Sequence, residues 1–284
     1  MQIIKSFEDV SSLSDNKIIG AENITFIDSE IRFSGEGNIL VCEENVKLKN
    51  SQLKFNGDNC VIYLSSSSHY YILDVTVYRN SVFYMGKNNY INGALHAVLS
   101  EQKNIIIGND NLFSFGVWIR TADPHLVYSV ESNKRVNPSK SVFIGDHVWI
   151  GQGAMILKGS KIGSGSILGA MALCAGKTIP SNTSWGGNPA KEIGSGIFWS
   201  GESVHSWDGK QTAEHETFMG KPFVYKKSEK NAFDYSETVF LTYGENAEDK
   251  LEYLKSLSEN KDRNRFYIKP SDKRKGKRGK LWQR

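Results

Sequence analysis

The stretch IGDHVW-IGQGAM-ILKGSK-IGSGSI-LGAMAL-CAGKTI-PSNTSW-GGNPAK (Ile144–Lys191) repeats every six residues. Its first position holds Ile144, Ile150, Ile156, Ile162, Leu168 and Cys174, with Pro180 and Gly186 closing the run. The second position is usually Gly. The fifth holds Val148, Ala154, Ser160, Ser166, Ala172, Thr178, Ser184 and Ala190, all small or compact. Six is neither a helix period nor a simple strand period. It is the period of a chain that bends every six residues, so that three sixes make one triangular coil.

The first residue of each six points into a prism too narrow for anything but an aliphatic group. The fifth is small because it packs at the corner, and Gly at the second position supplies backbone freedom at the bend. Each coil leaves strand edges that only the next coil can pair, so coils stack.

On these residues the chain resembles the hexapeptide-repeat acyltransferases. The resemblance implies a mainly β fold, a left-handed parallel β-helix. The handedness comes from the resemblance alone, since general rules favour right-handed parallel crossovers. The ending IPSNTSWGGNPAK (Ile179–Lys191) is similar to the closing signature of that family, a proline turn followed by Gly-Asn-Pro-Ala. The strong match covers residues 105–193.

Composition adds bounds. The chain has 284 residues, 39% hydrophobic and 23% charged, which suits a soluble protein with one or two domains. No apolar run approaches the roughly 20 residues that span a bilayer, and no signal peptide is visible at MQIIKSFEDV. Three widely spaced cysteines, Cys42, Cys60 and Cys174, suggest reduced core thiols in a cytoplasmic protein, one that can work near the inner face of the membrane. The net charge of +4 conceals an asymmetry: residues 269–284 hold eight Lys or Arg against one acid, or +7, leaving +4 − 7 = −3 for residues 1–268. That basic tail reads as a solvated extension or as an arm for polyanions. No folded nucleic-acid-binding motif accompanies it.

Residues 1–104 alternate apolar and polar positions between Gly-Asn turns, which predicts irregular β-coils capping the solenoid. Gly35 to Gly57 and Gly86 to Gly108 are each 22 apart, the length of a longer coil. Residues 105–194 carry the regular β-helix, interrupted by 121–141, a loop with two prolines and no repeat. Insertions in repeat proteins map to a functional face. Residues 195–268 form a C-terminal extension, with a short helix expected over Ala247–Asp262.

The chemistry gathers near that loop. Acyl transfer to a hydroxyl needs a base within hydrogen-bond reach of the attacking oxygen, and neutral imidazole serves near neutral pH. His125 stands at the start of the loop, where the resemblance implies the catalytic base. Asp123 or a backbone carbonyl could hold its tautomer. Trp149, beside an inward residue, should face outward, where a large ring can wall a cofactor tunnel, stack on a sugar or pack between subunits; the resemblance implies a place near the acetyl group and the acceptor. The resemblance further implies acetyl-CoA as co-substrate, with Gly153, Ala154 and Ala172 along the pantetheine arm and Lys177 at its phosphates. The sequence between Leu168 and Asn188 is one residue longer than the family pattern, so contacts around Ala172 can shift by one. His147 could bind substrate across an interface or simply be exposed. His69, His96, His205 and His215 show no evident partner.

The irregular N-terminal third, IRTADPH (Ile119–His125), GDHVWIG (Gly145–Gly151) and the C-terminal extension are similar to bacterial capsular polysialic acid O-acetyltransferases. That resemblance implies a sialic acid acceptor in a surface polysaccharide, and a homotrimer with active sites between subunits. Arg120, Lys134 and Arg135 would then meet the acceptor's carboxylates. A galactoside, an amino-sugar or serine are the alternative acceptors. A non-catalytic capsule-assembly scaffold is another reading. A zinc lyase on the same prism would need three placed histidines, which this region lacks, so no metal is expected.

Overall fold

The computed structural model describes residues 1–226, 244, 246–259 and 266–270. The chain winds into a parallel β-solenoid of seven turns; two of its walls are sheets running its length, and the third is a sheet from Tyr90 onward, preceded by the strand pair Ile24–Ile27 and Val46–Lys49. The first sheet comprises Glu30–Phe33, Gln52–Phe55, Leu73–Val77, Leu95–Leu99, Trp118–Arg120, Met155–Leu157 and Leu173–Ala175, with Gln2–Ile4 added antiparallel at its end. The second sheet runs from Lys17–Ile19 to Thr178–Ile179. The third runs from Tyr90–Ile91 through Trp149–Ile150 to Thr183–Gly186, where the antiparallel strand Lys191–Ser195 closes the stack.

Coil length changes along the axis while the ladders of the first two sheets do not break. Ile39 pairs with Val61 and Phe83 with Ile105, a step of 22 residues, whereas Phe143 pairs with Lys161, a step of 18. Between Ile105 and Val142, which are also paired, the step is 37, and the excess is the ejected loop. The longer coils turn their corners partly on buried Asn residues. Asn38 and Asn16 bond side chain to side chain at 2.9 Å, Asn111 and Asn89 at 2.8 Å, and each ladder also caps backbone N–H groups of the next coil. The recurrent Gly-Asn signature of the sequence thus marks corners whose backbone donors would otherwise be unpaired.

The prism interior is one continuous apolar core. Ile144, Ile150, Ile156, Ile162, Leu168 and Cys174 are all fully buried, as are Val148, Ala154, Ser160 and Ser166. The six-residue register then slips. Ile162 pairs with Ile179, and it is Ile179, five residues after Cys174, that fills the next inward place. Pro180 and Thr178 therefore do not occupy the first and fifth positions that strict sixes give them; Thr178 is exposed. The apolar group is held inside because burying an isoleucine side chain contributes about 1.5–3 kcal/mol, more than keeping the local period.

Outside the prism, the helix α1 spans Gly209–Glu214 and α2 spans Glu248–Glu259. Leu254 and Leu257 of α2, with Ala247 and Phe266, pack on the outer face of the second sheet over Val61, Tyr63, Val82 and Tyr84. Lys250 is buried beneath α2, its ammonium donating to the carbonyls of Asn59 and Asn80 at 3.0 Å each; burial pulls its pKa down to about 8. The basic segment begins within the described residues at Lys269 and Pro270, and its remainder, 271–284, lies outside them.

Candidate functional site

The ejected loop leaves the first sheet at Arg120 and enters the second at Val142. It is a small hairpin: Tyr128 and Arg135 form an antiparallel bridge, Val136 N–H donates to Val127 O at 2.9 Å, and Ser129 N–H donates to Lys134 O at 2.9 Å. Asn137 is its hub. Its side-chain oxygen accepts from Val127 N–H at 2.9 Å, and its amide donates to His125 O at 2.8 Å and Asp123 Oδ2 at 3.1 Å. Arg135 grips Glu101 with two N–H bonds of 2.6 and 2.8 Å, and Ser139 also bonds that carboxylate. The bonds from Arg135 and Ser139 hold the Glu101 carboxyl down at about 2. The loop is therefore tied to the solenoid at both ends.

His125 is exposed on this hairpin, with its backbone fixed by Asn137 and no ring hydrogen bond among the described residues. Asp123 is not its orienting partner. Its carboxylate is taken by Lys158 at 2.5 Å and by Asn137, and these hydrogen bonds lower its pKa. The Asn137 contact with the His125 carbonyl fixes that segment instead. Asp123 and Pro124 rim a shallow concavity of about 370 Å³, with Arg120, Trp118, Met155 and Leu157 as its floor. Of the three cations expected to meet an acceptor, Arg120 opens on this concavity, Lys134 is exposed at the hairpin tip, and Arg135 is engaged by Glu101.

Trp149 faces outward as its position requires and is 40% exposed, but on the third sheet. The His125 hairpin leaves from the corner between the first and second sheets, opposite that wall. One chain does not bring the two side chains to one place.

His147, two residues before Trp149, adopts a left-handed backbone (φ 51°) and is 7% exposed. Its ring lies between Trp199, centroids 4.0 Å apart, and Phe223, 4.1 Å apart. Trp199 Nε1–H donates to His147 O at 2.9 Å, and Asn182 ties down Ile197 O, Phe223 O and Tyr225 N–H. His147 thus sits at the base of the extension, where residues 199 and 223 come together.

Gly153, Ala154 and Ala172 lie at the corner between the third and first sheets. Ala154 and Ala172 turn their methyl groups into the prism, and their carbonyls are used by Trp118 N–H and Met155 N–H. What this corner offers a ligand is a smooth surface flanked by Met155, 39% exposed, and Met171, 73% exposed. Lys177 is part-exposed at the corner between the first and second sheets, the side from which the His125 hairpin also springs.

Sequence reading missed Asn137, Lys158 and Glu101, whose partners lie up to 38 residues away. It also left His96 without a partner, whereas Asp74 Oδ2 lies 3.1 Å from its Nδ1. Among the described residues no cluster of three His, Cys, Asp or Glu could hold a metal ion, and no helix is long and apolar enough to cross a membrane.

Comparison with known proteins agrees with this architecture. The family described as Bacterial transferase hexapeptide (six repeats) matches residues 141–176. A polysialic acid O-acetyltransferase of Escherichia coli O1:K1 / APEC is 33% identical over 126 residues, 44% of this chain and 40% of that protein. One of Neisseria meningitidis is 41% identical over 49 residues, 17% of this chain and 23% of its own length. The matches thus span less than half of these curated relatives. Among solved structures, the polySia specific acetyltransferase NeuO superposes with a TM-score of 0.58 at 26% identity, covering 70% of this chain and 90% of that one. The polysialic acid O-acetyltransferase OatWY shares the fold, with a TM-score of 0.58 at 24% identity over 72% of this chain and 96% of its own. The resemblance to hexapeptide-repeat acyltransferases, and to the polysialic acid O-acetyltransferases among them, extends from sequence to structure.

Proposed function

We propose that this chain transfers the acetyl group of acetyl-CoA to a hydroxyl of a sialic acid residue in an acidic surface polysaccharide. The observation that carries the reading is the likeness to NeuO, a polySia specific acetyltransferase, over 90% of that chain. The local geometry suits it. An exposed imidazole stands beside a concavity whose floor holds a guanidinium.

His125 takes the proton of the acceptor hydroxyl as its oxygen attacks the thioester carbonyl. A backbone N–H near the third-sheet wall stabilises the oxyanion, CoA leaves as thiolate, and the imidazolium returns the proton to it. Transfer is direct rather than through an acyl-enzyme. All three cysteines are buried and their thiol pKa values are pushed up, that of Cys60 to about 11, so none supplies a thiolate nucleophile. Gly153 and the flanking methionines give the pantetheine arm a smooth bed, and Lys177 attracts the phosphates. Arg120 and Lys134 face the acceptor's carboxylates, while Arg135 shapes the hairpin through Glu101.

Because His125 and Trp149 stand on opposite sides of one prism, the complete site is assembled from adjacent subunits of a homotrimer. Labelled acetyl-CoA offered with oligosialic acid, a galactoside, an amino-sugar and serine tests the whole reading. Label on the sialic acid hydroxyls is expected. Label on another acceptor alone would replace the substrate, and no transfer to any of them, with no CoA bound, would leave a scaffold.

A further inference from the structure

Outside the hairpin, the outer face of the first sheet carries a polar row of which the transfer chemistry above uses only Arg120. Asp74, His96 and Trp118 are direct neighbours on successive strands. Lys54 Nζ donates to Asp74 Oδ1 at 2.8 Å, and Asp74 Oδ2 faces His96 Nδ1 at 3.1 Å. Burial works against the Asp74 charge, but the bonds from Lys54 and His96 hold its carboxyl below the ordinary value. A carboxylate on Nδ1 fixes the proton there and leaves Nε2 as an acceptor. Nε2 makes no hydrogen bond among the described residues, and the side chain is 26% exposed.

The row ends in a cation. The His96 ring lies flat on Trp118, with centroids 4.3 Å apart and planes 12° apart. The Arg120 guanidinium sits 5.4 Å from the Trp118 ring centroid. No carboxylate pairs with Arg120 among the described residues; the nearby Asp123 is taken by Lys158. Further along the same face the row turns apolar, at Met155 and Leu173. The indole and the unpaired guanidinium line the concavity and the oriented imidazole adjoins it through Trp118; together they match a carboxylated sugar, which presents hydroxyls, C–H faces and one anion.

We propose that Arg120, Trp118 and His96 form a second saccharide subsite, which takes a carboxylated sugar next along the polymer from the one being acetylated. Arg120 receives the carboxylate, Trp118 backs it, and His96 Nε2 accepts a sugar hydroxyl. Asp74 and Lys54 are positioning residues that act through His96. The inference rests on the acceptor being a carboxylated polymer, as proposed above.

The test compares a single sialic acid with a long sialic acid oligomer as acceptor for the full chain. In D74N and H96A the ratio of KM for the long acceptor to KM for the short one rises about fivefold, the loss of one hydrogen bond. R120M raises KM for the long acceptor about tenfold or more, the loss of a charge-assisted contact. KM for acetyl-CoA stays at the wild-type value, and H96Q, which restores an acceptor near the Nε2 place, recovers part of the effect. Melting temperatures separate misfolding from lost binding. An unchanged long-to-short ratio in folded D74N and H96A, with wild type active on the oligomer, overturns the subsite alone. Wild type inactive on every carboxylated acceptor overturns the proposed function, and the subsite with it.

Discussion

The long N-terminal coils and the short C-terminal coils share one continuous interior but fill it differently. Coils of 22 residues enclose aromatic groups: Phe33 stacks on Phe55 with centroids 4.6 Å apart, and Tyr71, Phe83 and Phe113 are fully buried. Coils of 18 residues enclose aliphatic groups, with Ala154 and Ala172 at their corners. Corners differ as well. Left-handed positions are mostly non-Gly in the long coils, among them Asn45, Asn50, Asn59, Asn80 and Asn88 beside Gly20 and Gly37, and mostly Gly in the short ones, Gly153, Gly159, Gly165 and Gly176 beside His147 and Met171. Perimeter sets what the prism can hold. The proposed transfer centre belongs to the short coils, whose tight Gly corners give a thin, smooth wall, and the polar row of Asp74 and His96 belongs to the long ones.

Assigning acetyl transfer to the short-coil end predicts its largest effect at His125. H125A lowers kcat by about two to four decades, the usual scale for a lost general base, while CoA still binds by calorimetry. Near-normal turnover would remove the base. The packing contrast comes next. A154F, which forces a ring into an aliphatic coil, unfolds the short-coil end or costs several kcal/mol, whereas F55L in an aromatic coil costs about 1–3 kcal/mol. Chemical denaturation measures both, and equal costs would deny that perimeter governs the core. The smallest effect is at the hairpin tether. The Glu101 pKa is held down at about 2, so its stabilising contact is complete above its ordinary value near 4.5 and is lost as pH falls toward about 2. Hydrogen exchange in the hairpin should rise across that acid window, and E101Q should show raised exchange at neutral pH; an unchanged profile would mean that Arg135 does not tether the loop.

Much of this was legible in the sequence, because the solenoid writes its period into local residue choice. The inward series from Ile144 to Cys174 could be read directly, and Trp149 pointing outward followed from it. The slip between Cys174 and Ile179 was hidden, since GKTIPS fits the sixes by composition and only pairing with Ile162 shows which residue turns inward. Asp123 looked like the orienting group of His125 by proximity in the chain, but Lys158, 35 residues on, lies at the same corner one coil further along and claims it. The Asp74–His96 pair was within reach: the two residues are 22 apart, the coil length already visible from Gly35 to Gly57. The aromatic clamp on His147 was not, because Trp199 and Phe223 belong to an extension without a period.

The central claim is that a proton acceptor from one chain meets the wall of another. Mixing H125A and W149A chains after unfolding, then refolding them together, tests it most directly. Random assembly of adjacent-subunit sites restores intact pairs at about one quarter of sites, so activity should return to about that fraction of wild type. Activity no higher than the average of the two separate variants would contradict the account.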